Sequence, residues 1–457
     1  MFIMSLSIAK DFRFFSLLRF ALPTMIMMVF TSLYTIVDGI FISRFVGSNA
    51  LSSANIVFPV INLIIAVGVM FASGGSALIA KKLGEHKEKE ANQDLSLIIA
   101  TSLLLSIIIL AAGSLFLEPL VRLLGSTDIL VANCKGYLGV LLFFAPACIL
   151  QLLFQTFFVT AGKPHLGLIL TVLGGIVNMI LDYVFMGPLN MGIQGAALAT
   201  GLGQVIPAIA GLLYFLSGKN ALRIVKPRFS MATLLKSCSN GSSEMVTNIS
   251  TAVVTYLFNI VMLRLLGEAG VAAITIVLYG QFLFNALYFG FSMGVAPVIS
   301  YNYGRGNIPL LQRIFKICTG FVSVSSIIAT AIALTFSPYI VEIFTPAGSP
   351  TYEIARTGFF LFSFNYIFAG MNIFASSMFT AFSDGPVSAI ISFARTFVFI
   401  VVSILLLPEL LGVTGVWLSV PAAECVTLLL SFFFFFIKRK KYHYVGKKVT
   451  RELVNQL

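Results

Sequence analysis

The chain has 457 residues, of which 58% are hydrophobic and 10% charged, and its formal net charge is +12. A soluble domain carries about a quarter charged residues, so this chain lacks the polar surface to cover a globule and hydrocarbon must be part of its solvent. Five scattered cysteines with no CxxC or Cys/His spacing support neither a zinc site nor a disulfide framework, and no Walker A, GxSxG or HExxH motif supports ATP-driven pumping or hydrolysis.

A spanning helix needs about 20 mostly apolar residues. In chain order, the apolar runs predict spans near 14–42, 52–80, 95–117, 136–160, 165–187, 193–216, 237–263, 271–300, 314–337, 356–381, 386–408 and 414–437. Turn signals separate them, among them Gly47, the charged run from Lys81 to Asp94, Gly162-Lys163-Pro164, Gly267, Gly385-Pro386 and Gly412. The expected fold is an all-α polytopic membrane protein. A tail at 1–13 precedes a six-helix lobe at 14–216. A loop at 217–236 leads to a second six-helix lobe at 237–437, and a basic tail occupies 438–457.

The basic residues set the orientation. With the first tail inside, 23 Lys and Arg fall on the inner side and five on the outer, with Arg395 mid-span. That asymmetry is a positive-inside signal and puts both termini in the cytoplasm of a cell with the chain in its inner (plasma) membrane. It also explains the net charge without nucleic acid. The run Lys438-Arg439-Lys440-Lys441 reads as an anchor for anionic membrane lipid.

The two lobes repeat one another. At an offset of 220 residues, Thr31 meets Thr251, Arg44 meets Arg264, Gly47 meets Gly267, Gly74 meets Gly294, Gly84 meets Gly304, and Gly192 and Gly195 meet Gly412 and Gly415. The offset crosses six spans, an even number, so the repeats are parallel, twelve transmembrane helices in two matched halves. Such duplications typify secondary transporters.

Ionisable groups within hydrocarbon point to function, because an Asp at a helix centre costs about 2.5–3.5 kcal/mol on insertion scales. Five sit well inside spans: Asp38, Asp182, Glu244, Arg395 and Glu424. Asp38 shares a helical face with Thr31, Tyr34 and Thr35, and Asp182 shares one with Asn178. Together with Thr200 on the sixth span they would offer carboxylate, amide and hydroxyl oxygens, which suit a small hard cation such as Na+ or an exchange with protons. Arg395 and Glu424, at similar depth on the last two spans, read as a structural ion pair. Glu244, with Asn248 and Thr251 on its face, reads equally as a second ion or substrate acid and as a helix-terminal acid.

The duplicated twelve-span chain, FALPTM followed by Asp38, the Gly74 and Gly84 pair, and NMILDYVF followed by GIQGAALAT resemble the multidrug and toxic compound extrusion (MATE) transporters over about residues 14 to 437. The resemblance implies a V-shaped pair of lobes and export of small amphipathic, cationic, drug-like compounds in exchange for H+ or Na+, with no other cofactor. It implies an N-lobe coupling site at Asp38, Asn178, Asp182 and Thr200, with the carbonyl of Ala196 and a contact from Tyr137. The chain departs from part of the family in having no acid on the tenth span, and the repeat mates of Asp38 and Asp182 are Phe258 and, at offset 222, Ile404. The expected molecule is a monomeric antiporter and not an enzyme. The alternatives are a lipid-linked precursor flippase, disfavoured by four acids against one arginine within the spans, and a channel or non-transporting membrane sensor.

Cysteines introduced at 81–94, 217–236 and 438–457 are expected to resist impermeant thiol reagents in intact cells, whereas those at 126–134 react. Outside labelling of the 217–236 loop contradicts the span count.

Overall fold

The computed structural model describes residues 7–218 and 220–446. Lys219, the first six residues of the N-terminal tail, and Lys447, Lys448 and Arg451 of the basic tail lie outside the described residues. Among the described residues the chain is helical: α1 (Phe14–Phe41), continued by a π turn at Ile42–Val46, α2 (Ser48–Gly84), α3 (Glu88–Leu115), α4 (Leu117–Leu123), α5 (Val131–Phe143), α6 (Ala145–Thr160), α7 (Pro164–Met186), α8 (Gly192–Leu216), α9 (Met231–Gly304), α10 (Ile308–Glu342), α11 (Pro350–Phe362), α12 (Tyr366–Ala381), α13 (Gly385–Phe393), α14 (Phe399–Leu411) and α15 (Val413–Tyr442).

Length turns these helices into spans. A straight helix of 74 residues would run about 110 Å, against a hydrocarbon core of about 30 Å. α9 breaks at Gly267, where φ is 65° and ψ is −154°, and so supplies two spans, a first arm before the glycine and a second after it. α5 and α6 form one span bent by 52°. α11 and α12 form another across a 3-10 turn at Ser363–Asn365, and α13 and α14 another across a π turn at Ala394–Val398. The described residues therefore make twelve crossings in two sets of six. The bends in the fourth, tenth and eleventh crossings are not visible as breaks in hydropathy. The loop between the lobes is also shorter than expected, because α9 begins at Met231, capped by Ser230, whose hydroxyl accepts from Thr233 N.

The repeated glycines have a conformational reason. Gly47 and Gly267 have φ of 106° and 65°, and Gly192 and Gly412 have φ of 61° and 60°. Each pair makes the same tight turn in its own lobe, in a region that side chains with a Cβ rarely adopt.

The lobes join at one end. A Cβ on Gly84 would collide with the carbonyl of Tyr301, and one on Gly304 with the carbonyl of Lys81. These two contacts are images of each other under the 220-residue offset. The same holds further along, where Gly74 abuts Ser237 and Gly241 while its mate Gly294 abuts Ala21 and Thr24. Reciprocal contacts of this kind require a pseudo-two-fold axis between α1–α2 and the two arms of α9. One apolar core runs through the junction, with Leu17, Ala21 and Phe71 from one lobe and Phe291, Val295 and Phe379 from the other.

Basic groups gather at this junction, where Lys81 lies over the ring of Tyr303 at 5.2 Å. The segment before α1 crosses between lobes there: Ile8 and Phe12 are buried, and Arg313 on α10 pairs with Asp11 at 2.7 Å. The linker is stitched to α3, with Arg223 N donating to Asn92 Oδ1 at 2.8 Å and Val225 N to Ser96 Oγ at 2.8 Å. Beneath the second lobe, Asp384 accepts from the Tyr442 hydroxyl at 2.6 Å and faces Lys438 at 3.1 Å. Burial pushes the Asp384 carboxyl up, but the Tyr442 hydroxyl and the lysines hold it below the usual carboxylate range. A cavity lies between the lobes further along the helices. Leu33 and Ile40 of α1 and Tyr256 and Leu263 of α9 are exposed, and the cavity, of about 390 Å³, opens between Val29 and Leu33 on one side and Leu283, Leu287 and Ile332 on the other.

If backbone contact at the junction is required, Gly84→Val destabilises the protein by about 1–3 kcal/mol, the range for overpacking. Gly320→Ala, at a glycine with open space around it, has little effect. Thermal unfolding in detergent measures both, and an unchanged midpoint for Gly84→Val contradicts the reading.

Candidate functional site: a pair of buried carboxyl groups in the first lobe

Small residues let α1, α7 and α8 approach closely. A Cβ on Gly175 of α7 would strike Phe30 and Tyr34 of α1, and Cβ atoms on Gly174 and Gly203 would each strike the other residue's carbonyl across α7 and α8. Close crossing of this kind is the usual role of small residues between membrane helices. It brings Asp38 from α1 beside Asp182 from α7, with Asn178 against Asp182 one turn earlier. Tyr137 of α5 lies within electrostatic reach of both carboxyl groups, and Tyr34 within reach of Asp38.

Asp182, Asn178 and Tyr137 are buried, and Asp38 is half-buried. Among the described residues, Asp38 Oδ1, both carboxyl oxygens of Asp182 and both amide atoms of Asn178 have no hydrogen-bond partner of good geometry. An unpaired buried polar atom ordinarily costs about 1–3 kcal/mol, a cost that a proton shared between the two carboxyl groups, or a cation, would relieve. Carboxylate and amide oxygens suit a small hard cation or a proton. No group of three or more His, Cys, Asp or Glu able to hold a metal occurs among the described residues, so any cation here would rest on two acids and neutral oxygens.

α8 supplies the remaining expected residues. Ala196 is buried, and Thr200 is half-buried one turn before Gly203, the residue that abuts Asn178. No hydrogen bond joins Thr200 to the carboxyl pair among the described residues.

The second lobe is built differently at the corresponding depth. Phe258 and Ile404, the repeat mates of the two aspartates, are fully buried in its core. Arg395 lies in the π turn, which rotates its side chain into the lobe. Its Nε donates to Glu424 Oε1 at 2.8 Å. Asn372 Nδ2 donates to Glu424 Oε2 at 2.7 Å and to the Glu424 carbonyl at 2.8 Å, and the Ser431 hydroxyl donates to Asn372 Oδ1 at 2.9 Å. This network satisfies itself. Asn372 was missed in the sequence, where nothing distinguished it from other polar residues on an acid-free span.

Glu244 is remote from the aspartate pair. It accepts from the Ser243 hydroxyl and lies beside Ser73 of α2, next to the Gly74–Gly241 contact between lobes. Asn248 Nδ2 donates to the Glu244 backbone carbonyl at 2.8 Å and so is committed to its own helix. Ser243 continues through Thr380 at 3.3 Å and Ser388 at 2.7 Å to a row of hydroxyls inside the second lobe.

The chain is similar to known proteins over nearly its whole length. The model of the MatE family matches residues 23–184 and again 244–405, once in each lobe. The multidrug export protein MepA of Staphylococcus saprophyticus is 24% identical over 436 residues, covering 92% of this chain and 93% of its own length. That of Staphylococcus haemolyticus is 25% identical over 430 residues, covering 92% of each chain. Among solved structures, the outward-facing conformation of a multidrug resistance MATE family transporter of the MOP superfamily aligns with a TM-score of 0.88 and 23% identity, over 94% of this chain and 96% of that one. A MOP superfamily transporter from Pyrococcus furiosus, described as having a binding pocket of reverse polarity, aligns with a TM-score of 0.87 and 22% identity, over 93% and 96%.

Removing one partner of a buried ion pair strands the other charge, a loss of about 3–5 kcal/mol. Arg395→Met and Glu424→Gln should each lower folded yield, and the double variant should recover part of it. Additive losses in a thermal-unfolding cycle contradict a coupled pair.

Proposed function

The chain belongs to the MATE family of membrane transporters, and from that premise we propose that it is a secondary active multidrug efflux antiporter. It exports amphipathic, drug-like organic cations in exchange for H+ or Na+, as a monomer in the inner (plasma) membrane with both termini in the cytoplasm. No cofactor and no covalent step are needed. The observation that carries the reading is the Asp38–Asp182 pair, two acids set side by side within the first lobe with Asn178 against Asp182.

The energetics support coupling at this pair. Two ionised carboxylates about 4 Å apart repel by about 4 kcal/mol at an effective dielectric of 20. A cation or proton between them relieves that repulsion. Moving a two-state equilibrium from 1:99 to 99:1 takes about 5.5 kcal/mol of differential affinity, which is of the same order. An ion that binds the pair in one lobe arrangement better than in the other therefore has enough leverage to drive alternating access. With the basic end cytoplasmic, the conformer closed at the Gly84–Tyr301 junction, with its cavity further along the helices, is open to the outside.

The flippase alternative needs a cationic cavity for a pyrophosphate head. Arg395, the basic residue deep in the spans, is buried and bonded to Glu424, so it presents no free charge to the space between lobes.

Asp38→Asn and Asp182→Asn are expected to insert normally and to lose gradient-driven export while keeping substrate binding. The double variant should be no worse than either single one, because the pair acts as a unit. Efflux in proteoliposomes, with pH and Na+ gradients imposed separately and protein content matched, measures this and identifies the coupling ion. Near-normal export by Asp38→Asn contradicts the reading and shifts attention to Glu244.

A further inference from the structure

At the end of the molecule away from the lobe junction, the two arms of α9 enclose a groove of about 460 Å³ just before and after Gly267. Tyr256, Asn259, Ile260 and Leu263 of the first arm form one wall, and Glu268 and Val271 of the second form the other. The opposite faces of the same arms carry Phe258, Met262, Ile274 and Val277, which are buried in the second lobe's core. No other helix of that lobe lines the groove, so it opens away from the core.

Its chemistry is uneven. The walls are mostly apolar, but Glu268 is exposed and has no ion pair or hydrogen bond among the described residues. The neighbouring cation, Arg264, is engaged elsewhere, with Glu409 at 3.2 Å. The Tyr256 side chain is exposed, and Asn259 Oδ1 is buried without a partner. An unneutralised carboxylate, an open aromatic face, an unmet acceptor oxygen and aliphatic walls complement one kind of small molecule: an organic monocation with apolar substituents. An anion would meet the carboxylate, and a neutral apolar compound would leave the Glu268 charge and the Asn259 oxygen unused.

We propose that this groove is a binding site for amphipathic monocations, an outer station distinct from the Asp38–Asp182 pocket in the other lobe. It rests on the reading of the chain as a cation exporter and adds where the exported compound is held near the open end. An exposed carboxylate acting through water is screened, so the station is weak. Weak binding suits release, because a compound held tightly at the open end would not leave.

The test uses the full chain in nanodiscs with tetraphenylphosphonium as the probe, read by equilibrium binding and by photolabelling with an azido derivative. Wild type is expected to show a saturable, low-affinity component with label mapping to residues 256–272. Glu268→Gln should weaken that component roughly fivefold, the effect of one screened charge at a wet groove. Tyr256→Leu should weaken it by roughly two- to fivefold, and Glu268→Asp should retain it. If wild type binds and exports the phosphonium while Glu268→Gln leaves both the low-affinity component and the label unchanged, the groove is not a site and the export reading stands. If wild type neither binds nor exports it, the cation-export reading fails and this inference falls with it.

Discussion

A polar atom buried in hydrocarbon with no partner has no water to turn to, and the fold can be followed by asking where each such atom is satisfied. At the depth of the eleventh and twelfth crossings of the second lobe the answer is internal. Arg395, Glu424, Asn372 and Ser431 close a network in which the carboxylate accepts from two side chains. In the first lobe, at the matching depth, Asp38, Asp182 and Asn178 are brought together. The two lobes follow one pattern, yet at this depth one closes Arg395, Glu424 and Asn372 into a network and the other sets two acids side by side.

That asymmetry sits on a symmetric frame. The glycines that make the repeat visible have two jobs: Gly47, Gly267, Gly192 and Gly412 turn the chain, and Gly74, Gly84, Gly294 and Gly304 let the lobes touch backbone to backbone. The contacts run from Gly84 and Gly304 along the helices to Gly241 and Gly290, and the segment before α1 and the linker between lobes are fastened near their start. Two lobes packed through glycines, with a pair of acids side by side in one of them, are the parts that the proposed two-state exchange uses.

Much of this was legible in the chain, for physical reasons that differ by feature. The span count followed from apolar length, and the pairing of lobes from glycines at a fixed offset, because both are local properties. The convergence of Asp38, Asn178 and Asp182 was legible because acids are rare in hydrocarbon and helical spacing places their neighbours. Thr200 is harder to place from sequence, because a hydroxyl in a span carries little information about its direction. The roles of Asn372 and Ser73 were not legible, since each depends on what a distant helix brings to it. Nor were the bends at Phe144 and in the Ala394–Val398 turn, which alter the direction of the chain without altering its hydropathy. Glu244 stayed ambiguous in sequence because it lies at a junction between lobes, an environment that neither span nor loop describes.

The central claim is that the carboxyl pair of the first lobe holds the ion that is exchanged for substrate. Proton release from lightly buffered, sodium-free protein in detergent on addition of tetraphenylphosphonium tests it most directly. The account predicts release by wild type that is suppressed when Na+ is supplied beforehand or when both Asp38 and Asp182 are replaced by Asn. Equal release from the doubly substituted protein would contradict it.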